Sequence, residues 1–173
     1  CFGFLLAKEI ESIDKVMKSG KKPVLAILGG AKVSSKITII ENILDKIDHL
    51  IIGGGMSFTF IKAQGGQIGD SICEEDKQDL ALQILELAAQ KQVKVHLPVD
   101  VLAADDFSPT ANTKVVDIHC IPKNWQGLDC GPKTKAFFHK VVQQCQTILW
   151  NGPAGYFENP EFANGSYEIA KSI

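Results

Sequence analysis

No stretch of the 173-residue sequence reaches the ~20 consecutive apolar residues that a membrane-spanning helix requires, and no basic segment precedes an apolar core at the start. Neither a membrane span nor a secretion signal is predicted. A basic excess is also missing. With 18 Lys+Arg against 20 Asp+Glu the net charge is -2 and the pI near 6.1, which argues against a nucleic-acid footprint and leaves anion binding to local clusters. The five cysteines form no C-x-x-C pair and, with the four histidines, no zinc spacing. Reduced thiols, a cytoplasmic location and small-molecule partners are expected, without nucleic acid or membrane. Cys145 is expected to act as a small buried hydrophobe. Cys130 lies in a glycine loop and is open to two readings, a buried thiol or the more reactive one.

Two familiar nucleotide motifs are absent as well. G-x-x-x-x-G-K-[ST] is not found, and neither is G-x-G-x-x-G, which speaks against a dinucleotide-dependent oxidoreductase. What stands instead is the run Ala26-Ile27-Leu28-Gly29-Gly30-Ala31-Lys32-Val33-Ser34-Ser35-Lys36. It reads as a strand, a tight turn and a helix start. Glycines admit close approach of an anion to the backbone, helix-start N–H groups favour negative charge, and Lys32 and Lys36 would share one helix face. A phosphate site and a plain glycine turn capping a strand are both compatible with this run.

At 45% hydrophobic and 22% charged, the chain has the composition of a globular domain with one sizeable core. Phe2, Leu5, Leu6, Ile10, Ile13 and Val16 recur at helical spacing up to Ser19-Gly20 and predict an opening helix. Strands are predicted at Pro23 to Leu28, His49 to Ile52, Val93 to Leu97 and Thr147 to Trp150. Helices are predicted from about Val33 to Ile47, Met56 to Lys62, Glu74 to Lys91, Lys133 to Gln144 and Pro160 to Ile173. Asp100 to Ile121 reads as an irregular or antiparallel excursion. Alternating strands and helices imply a parallel sheet covered on both faces, with ligands at the carboxyl edge. Gly29-Gly30, Gly53-Gly54-Gly55 and Gly152 with Gly155 each follow a predicted strand, so three glycine clusters are expected to border one cleft.

The segments Leu28-Gly29-Gly30-Ala31-Lys32-Val33, Ile51-Ile52-Gly53-Gly54-Gly55-Met56, Leu97-Pro98-Val99-Asp100, Trp125-Gln126-Gly127-Leu128-Asp129-Cys130-Gly131-Pro132 and Trp150-Asn151-Gly152-Pro153-Ala154-Gly155-Tyr156-Phe157-Glu158 together resemble phosphoglycerate kinase, in its nucleotide-binding C-terminal half. The resemblance implies a three-layer αβα Rossmann-like parallel sheet, the C-terminal lobe of a two-domain kinase. Residues 1–20 would be an interdomain helix and residues 21–173 the incomplete nucleotide-binding domain. It further implies reversible phosphoryl transfer in glycolysis between 1,3-bisphosphoglycerate and MgADP, giving 3-phosphoglycerate and MgATP, by a monomeric cytoplasmic enzyme.

On the same resemblance, Lys32 is the catalytic residue that contacts the migrating phosphoryl, and Lys36 holds nucleotide phosphates. The purine pocket falls on Gly30, Ala31, Gly53, Gly54, Gly55, Ile72, Phe107, Gly127 and Leu128. Asn151, Gly152, Pro153 and Ala154 run beside the sugar and phosphates, Glu158 accepts from the ribose hydroxyls, and Phe157 also belongs to the nucleotide-binding set. Taken without the family, Glu158 reads instead as a solvated carboxylate ahead of a helix. Trp125, Trp150, the four histidines and the Asp105-Asp106 pair are expected to be packing, surface or turn residues without a chemical role.

Two departures from the family pattern stand out. Ser35 replaces the usual aspartate between the lysines. The family's later G-G-G-D segment, with its magnesium-facing aspartate, and its T-G-G-G-A-S run do not occur before Ile173, and the substrate-binding N-terminal domain is not in the sequence. The isolated chain is therefore expected to be inactive alone, with a catalytically silent nucleotide-binding or folding fragment as the alternative.

Overall fold

Strand β1 (Val24–Leu28) divides its side chains between two hydrophobic cores: Val24, Ala26 and Leu28 enter one, Leu25 and Ile27 the other. Burial on both faces is the condition of a parallel strand sandwiched between helices. The computed structural model describes residues 20–108 and 110–173, so the opening helix expected over residues 1–20, and Cys1, fall outside the described residues save for Gly20.

After β1 come α1 (Ile37–Ile43), β2 (His49–Ile52), α2 (Met56–Ala63), β3 (Gln67–Ile68), a 3-10 turn (Glu75–Lys77), α3 (Gln78–Gln90) and β4 (Lys94–His96). The chain continues through β5 (Asp100–Ala104), β6 (Thr113–Asp117), β7 (Cys120–Ile121), β8 (Gln126–Cys130), α4 (Pro132–Gln143), β9 (Thr147–Asn151), a second 3-10 turn (Pro160–Phe162) and α5 (Asn164–Ser172).

The main sheet has the order β4-β2-β1-β9 and every pair is parallel. Ile40 and Ile43 of α1, Met56 and Phe60 of α2, and Ala81, Ile84 and Ala88 of α3 cover one face. Phe138, Val141 and Val142 of α4, with Ile169 of α5, cover the other. This is the three-layer αβα arrangement. Strand order reverses at β1, with β2 on one side and β9 on the other, so the crevice between the carboxyl ends of β1 and β9 is the topological switch point where open α/β sheets take ligands.

The excursion after β4 is an antiparallel sheet, β6-β5-β8. Val101 and Ala103 of β5 pack on Phe58 and Ile61 of α2. Its third strand, β8, is not among the predicted strands. Its five residues Gln-Gly-Leu-Asp-Cys carry no alternation and include glycine and aspartate, both weak strand formers. It is a strand because Gly127 lets the Phe58 ring lie against the backbone, where an added Cβ would meet Cζ at 2.3 Å.

A second difference lies after Gly30. The helix begins at Ile37 rather than Val33, and residues 33–36 form a turn closed by the Lys36 N–H donating to the Val33 carbonyl at 2.8 Å. Lys32 precedes the helix, and Lys36 is its N-cap, so the two lysines do not share a helix face. Val33 is fully buried and Ser34 is held by Glu74, which together keep this stretch out of helical geometry. The helix expected to start at Glu74 begins as the 3-10 turn and becomes α3 only at Gln78.

Candidate functional site

The three glycine clusters are stitched to one another by main-chain hydrogen bonds. Gly29 N–H donates to the Asn151 carbonyl at 2.9 Å, Gly30 N–H to the Pro153 carbonyl at 3.0 Å, and Gly54 N–H to the Ala154 carbonyl at 3.1 Å. The loops after β1, β2 and β9 thereby become one surface. Such close contact requires glycine at Gly54, where φ is +66° and a Cβ would lie 2.8 Å from both the Gly30 nitrogen and the Pro153 oxygen.

Beside this surface opens a cleft of about 470 Å³. Gly30, Ala31 and Gly55 form its floor, and Gly127 and Leu128 of β8 one wall. Ile72 and Phe107 supply further apolar faces, and Pro153, Phe157 and Glu158 line the side that follows β9. These ten residues are all among those singled out from the sequence. Ile72, Phe107 and Phe157 are about half exposed (48%, 53% and 52%), so apolar surface is presented to whatever fills the cleft.

Others of the predicted set lie next to the cleft rather than in its lining. Gly54 and Ala154 border a small void that also touches Gly55, and Gly53 is buried at the end of β2. Gly152 lines a separate apolar groove with Trp150 and Tyr167. Asn151 ends β9 and accepts a hydrogen bond from the Lys36 ammonium, which brings that cation to the switch point. Lys32 is exposed on the turn after β1 and makes no side-chain hydrogen bond among the described residues. The chain contains no arginine, so every cation that could face a phosphate is a lysine, a point charge rather than a bidentate fork.

Gly155, of the third glycine cluster, also lines the cleft as expected, and two lining residues were not singled out: Gln126 and Tyr156. Tyr156 is edge-on to Phe107, with ring centroids 5.5 Å apart and planes at 79°, and the pair forms the rim. Its N–H donates to the Leu128 carbonyl at 2.7 Å, tying the β9 loop to β8. Phe107 is presented by an acidic turn: Asp106 accepts from the Phe107 N–H at 2.7 Å and Asp105 from the Asn112 N–H at 2.9 Å, in keeping with a turn role for both carboxylates.

Cys130 is buried among the helices rather than reactive in a loop. Its Sγ donates to the Ala154 carbonyl at 3.6 Å, and burial pushes the thiol far above its ordinary range. Asp129 beside it is 4% exposed. Its Oδ2 accepts from the Gly165 N–H at 2.8 Å while Oδ1 has no partner among the described residues, and burial pushes the carboxyl up to about 6 despite donors from Gly165, Cys130 and Asn164. Nothing in the local sequence signals this, because the low-dielectric wall around Asp129 comes from the loop and helix after β9.

Among the described residues no three of His, Cys, Asp and Glu converge as a metal-binding group, and no helix is long and apolar enough to cross a membrane.

The family model for phosphoglycerate kinase matches residues 1–173. Among solved structures the chain superposes on phosphoglycerate kinase from Coxiella burnetii with a TM-score of 0.92 at 44% identity, and on that from Pyrococcus horikoshii OT3 with 0.79 at 28% identity. In each comparison 99% of this chain is covered but 44% of the other, so the chain spans less than half the length of these relatives.

Proposed function

The chain belongs to the phosphoglycerate kinase family, and on that premise we propose that it supplies the ADP/ATP-binding half of an enzyme transferring a phosphoryl group reversibly between 1,3-bisphosphoglycerate and MgADP. The products are 3-phosphoglycerate and MgATP. The observation that carries the reading is the joining of the Gly29-Gly30, Gly54 and Asn151 to Ala154 segments into one backbone surface beside a purine-sized cleft.

In this reading the base slides between Ile72, Phe107 and Leu128, against the backbone of Gly30, Ala31, Gly55 and Gly127, with Gly53 and Gly54 next to that lining. Asn151, Gly152, Pro153, Ala154 and Phe157 flank the sugar and phosphates, and Glu158 accepts from the ribose hydroxyls. Lys36 neutralises nucleotide phosphates. Lys32 contacts the phosphoryl in transit. Phosphoryl transfer leaves little covalent work for the protein, so these groups act by aligning donor and acceptor and by balancing charge on the equatorial oxygens. Magnesium arrives as part of the substrate MgADP, coordinated chiefly by phosphate oxygens and water, and this mode needs few protein ligands.

The carboxylate substrate and its acyl phosphate are handled by the part of the enzyme this chain does not contain, and the isolated chain binds nucleotide without turnover. The cytoplasmic, monomeric state belongs to the same proposal, as does the division into an interdomain helix over residues 1–20 and a nucleotide domain over 21–173. Calorimetric titration with MgADP tests it, in wild type, Lys32→Ala and Glu158→Ala. Saturable binding weakened by Glu158→Ala supports the reading; absence of heat from a folded wild-type chain rejects it.

A further inference from the structure

The segment between β3 and the first 3-10 turn touches the cleft on one side and the lysine turn on the other. Ser71 Oγ accepts the buried N–H of Gly127 at 2.9 Å, and Ile72 lines the cleft. Two residues on, Glu74 reaches the other way. Its Oε2 accepts the Ser34 N–H at 3.0 Å and its Oε1 the Ser34 hydroxyl at 2.5 Å, linking positions 40 residues apart. Glu74 is itself anchored, because its N–H donates at 3.1 Å to Oγ1 of Thr59, a fully buried residue of α2.

Ser34 lies inside the turn that separates Lys32 from Lys36. A turn of four residues with two exposed polar side chains has many alternatives in water, and a short helix extending back from α1 is one of them. The carboxylate removes that freedom by taking the Ser34 N–H and hydroxyl at once. It also lies below the ordinary carboxylate range: burial pushes it up, but hydrogen bonds from the Ser34 hydroxyl and the Ser34 and Val33 N–H groups outweigh that, so it is ionised at neutral pH.

We propose that Glu74 is a positioning residue for the phosphate end of the site, holding the Lys32 to Lys36 turn in place through Ser34 without contacting the nucleotide. This rests on the nucleotide reading above and adds to it a part that comes from outside the lysine loop. It has a consequence that a general structural role lacks. Loss of Glu74 weakens ligands in proportion to the phosphates they carry and leaves the base and ribose contacts intact.

The test is a pair of titrations, MgADP and adenosine, on the wild-type chain, Glu74→Ala, Glu74→Gln and Ser34→Ala, each with its thermal midpoint. Glu74→Ala is expected to weaken MgADP about tenfold, as befits a lost pair of charge-assisted hydrogen bonds, and adenosine less than about twofold. Glu74→Gln keeps an acceptor oxygen and recovers most of the loss. Ser34→Ala removes only an exposed hydroxyl, folds, and loses about threefold for MgADP alone. Equal losses for MgADP and adenosine, or unchanged MgADP binding in Glu74→Ala, overturn the role while leaving the nucleotide reading standing. A folded wild-type chain that binds neither ligand overturns both.

Discussion

The Lys36 ammonium hydrogen-bonds to the side-chain oxygen of Asn151, a residue 115 positions later in the chain. The contact spans β1 and β9 at the point where strand order reverses, and it uses one of three ammonium donors, leaving two for phosphate oxygens. Lys36→Ala is expected to weaken MgADP about tenfold and Asn151→Ala about threefold. Because Asn151 would act partly through Lys36, the double variant is expected to lose little beyond Lys36→Ala, a coupling that calorimetric titration of all four proteins measures.

Gly54 is constrained in conformation and in space together, with φ +66° and main-chain atoms of Gly30 and Pro153 where a Cβ would lie. Gly54→Ala combines a left-handed backbone with a Cβ forced against Gly30 and Pro153, whereas Gly65→Ala, at φ +87°, meets nothing within 4 Å among the described residues. The first is expected to cost about 3 kcal/mol and about 10 °C in the thermal midpoint, the second about 1 kcal/mol and about 3 °C. Circular dichroism melts of the two variants check the difference.

Asp129 and His96 set opposing dependences on pH. Burial raises Asp129 from 3.8 to about 6, so the folded chain holds its proton more tightly than the unfolded chain. Its contribution is therefore greatest below about 4 and falls as pH rises through 6, by roughly 3 kcal/mol at most. Lys135 is the cation that moderates this, and the Gly165, Cys130 and Asn164 N–H groups are the donors. His96 stacks on His49 with centroids 5.3 Å apart, and burial, then the charges of His49 and Lys94, push it from 6.5 down to about 4. Its contribution is complete above 6.5 and lost as pH falls toward 4. Asp129→Asn is expected to make acid destabilisation between pH 7 and 4 steeper, and His96→Phe to make it shallower, as read from melts across that range.

Phe107 and Tyr156 meet edge to face at the rim of the cleft, yet Phe107 is 53% exposed. Removing such a ring disturbs little of the core but takes away an apolar face for the base. Phe107→Ala is expected to weaken MgADP about fivefold to tenfold while the thermal midpoint moves by less than about 2 °C. A matched fall in midpoint and affinity would make Phe107 a packing residue instead.

The four parallel strands and the glycine-rich loops that follow three of them were legible because their signals are local. An apolar run such as Val24 to Leu28 states its own burial, and a glycine pair at its end states a turn. The lysine turn was not legible in the same way. Lys32, Val33, Ser34, Ser35 and Lys36 have ordinary helix-start spacing, and the residue that holds them out of the helix is Glu74, which no window around Gly30 contains. Strand β8 was hidden for a similar reason, since Gly127 and Asp129 are poor strand formers until Phe58 and the segment after β9 pack on them.

Sequence by itself determined the layered αβα order and the carboxyl edge as the expected ligand side, because periodicity and turn chemistry act over a few neighbouring residues; most of the residues that line the cleft came from the resemblance to the phosphoglycerate kinase family. Tertiary structure alone decided that Lys36 meets Asn151, that Glu74 fastens Ser34, that Cys130 is buried and that Asp129 holds its proton more tightly than a free carboxylate. Each of these depends on a partner or a desolvating wall supplied from tens of residues away, and electrostatics and hydrogen bonding respond to distance in space rather than along the chain.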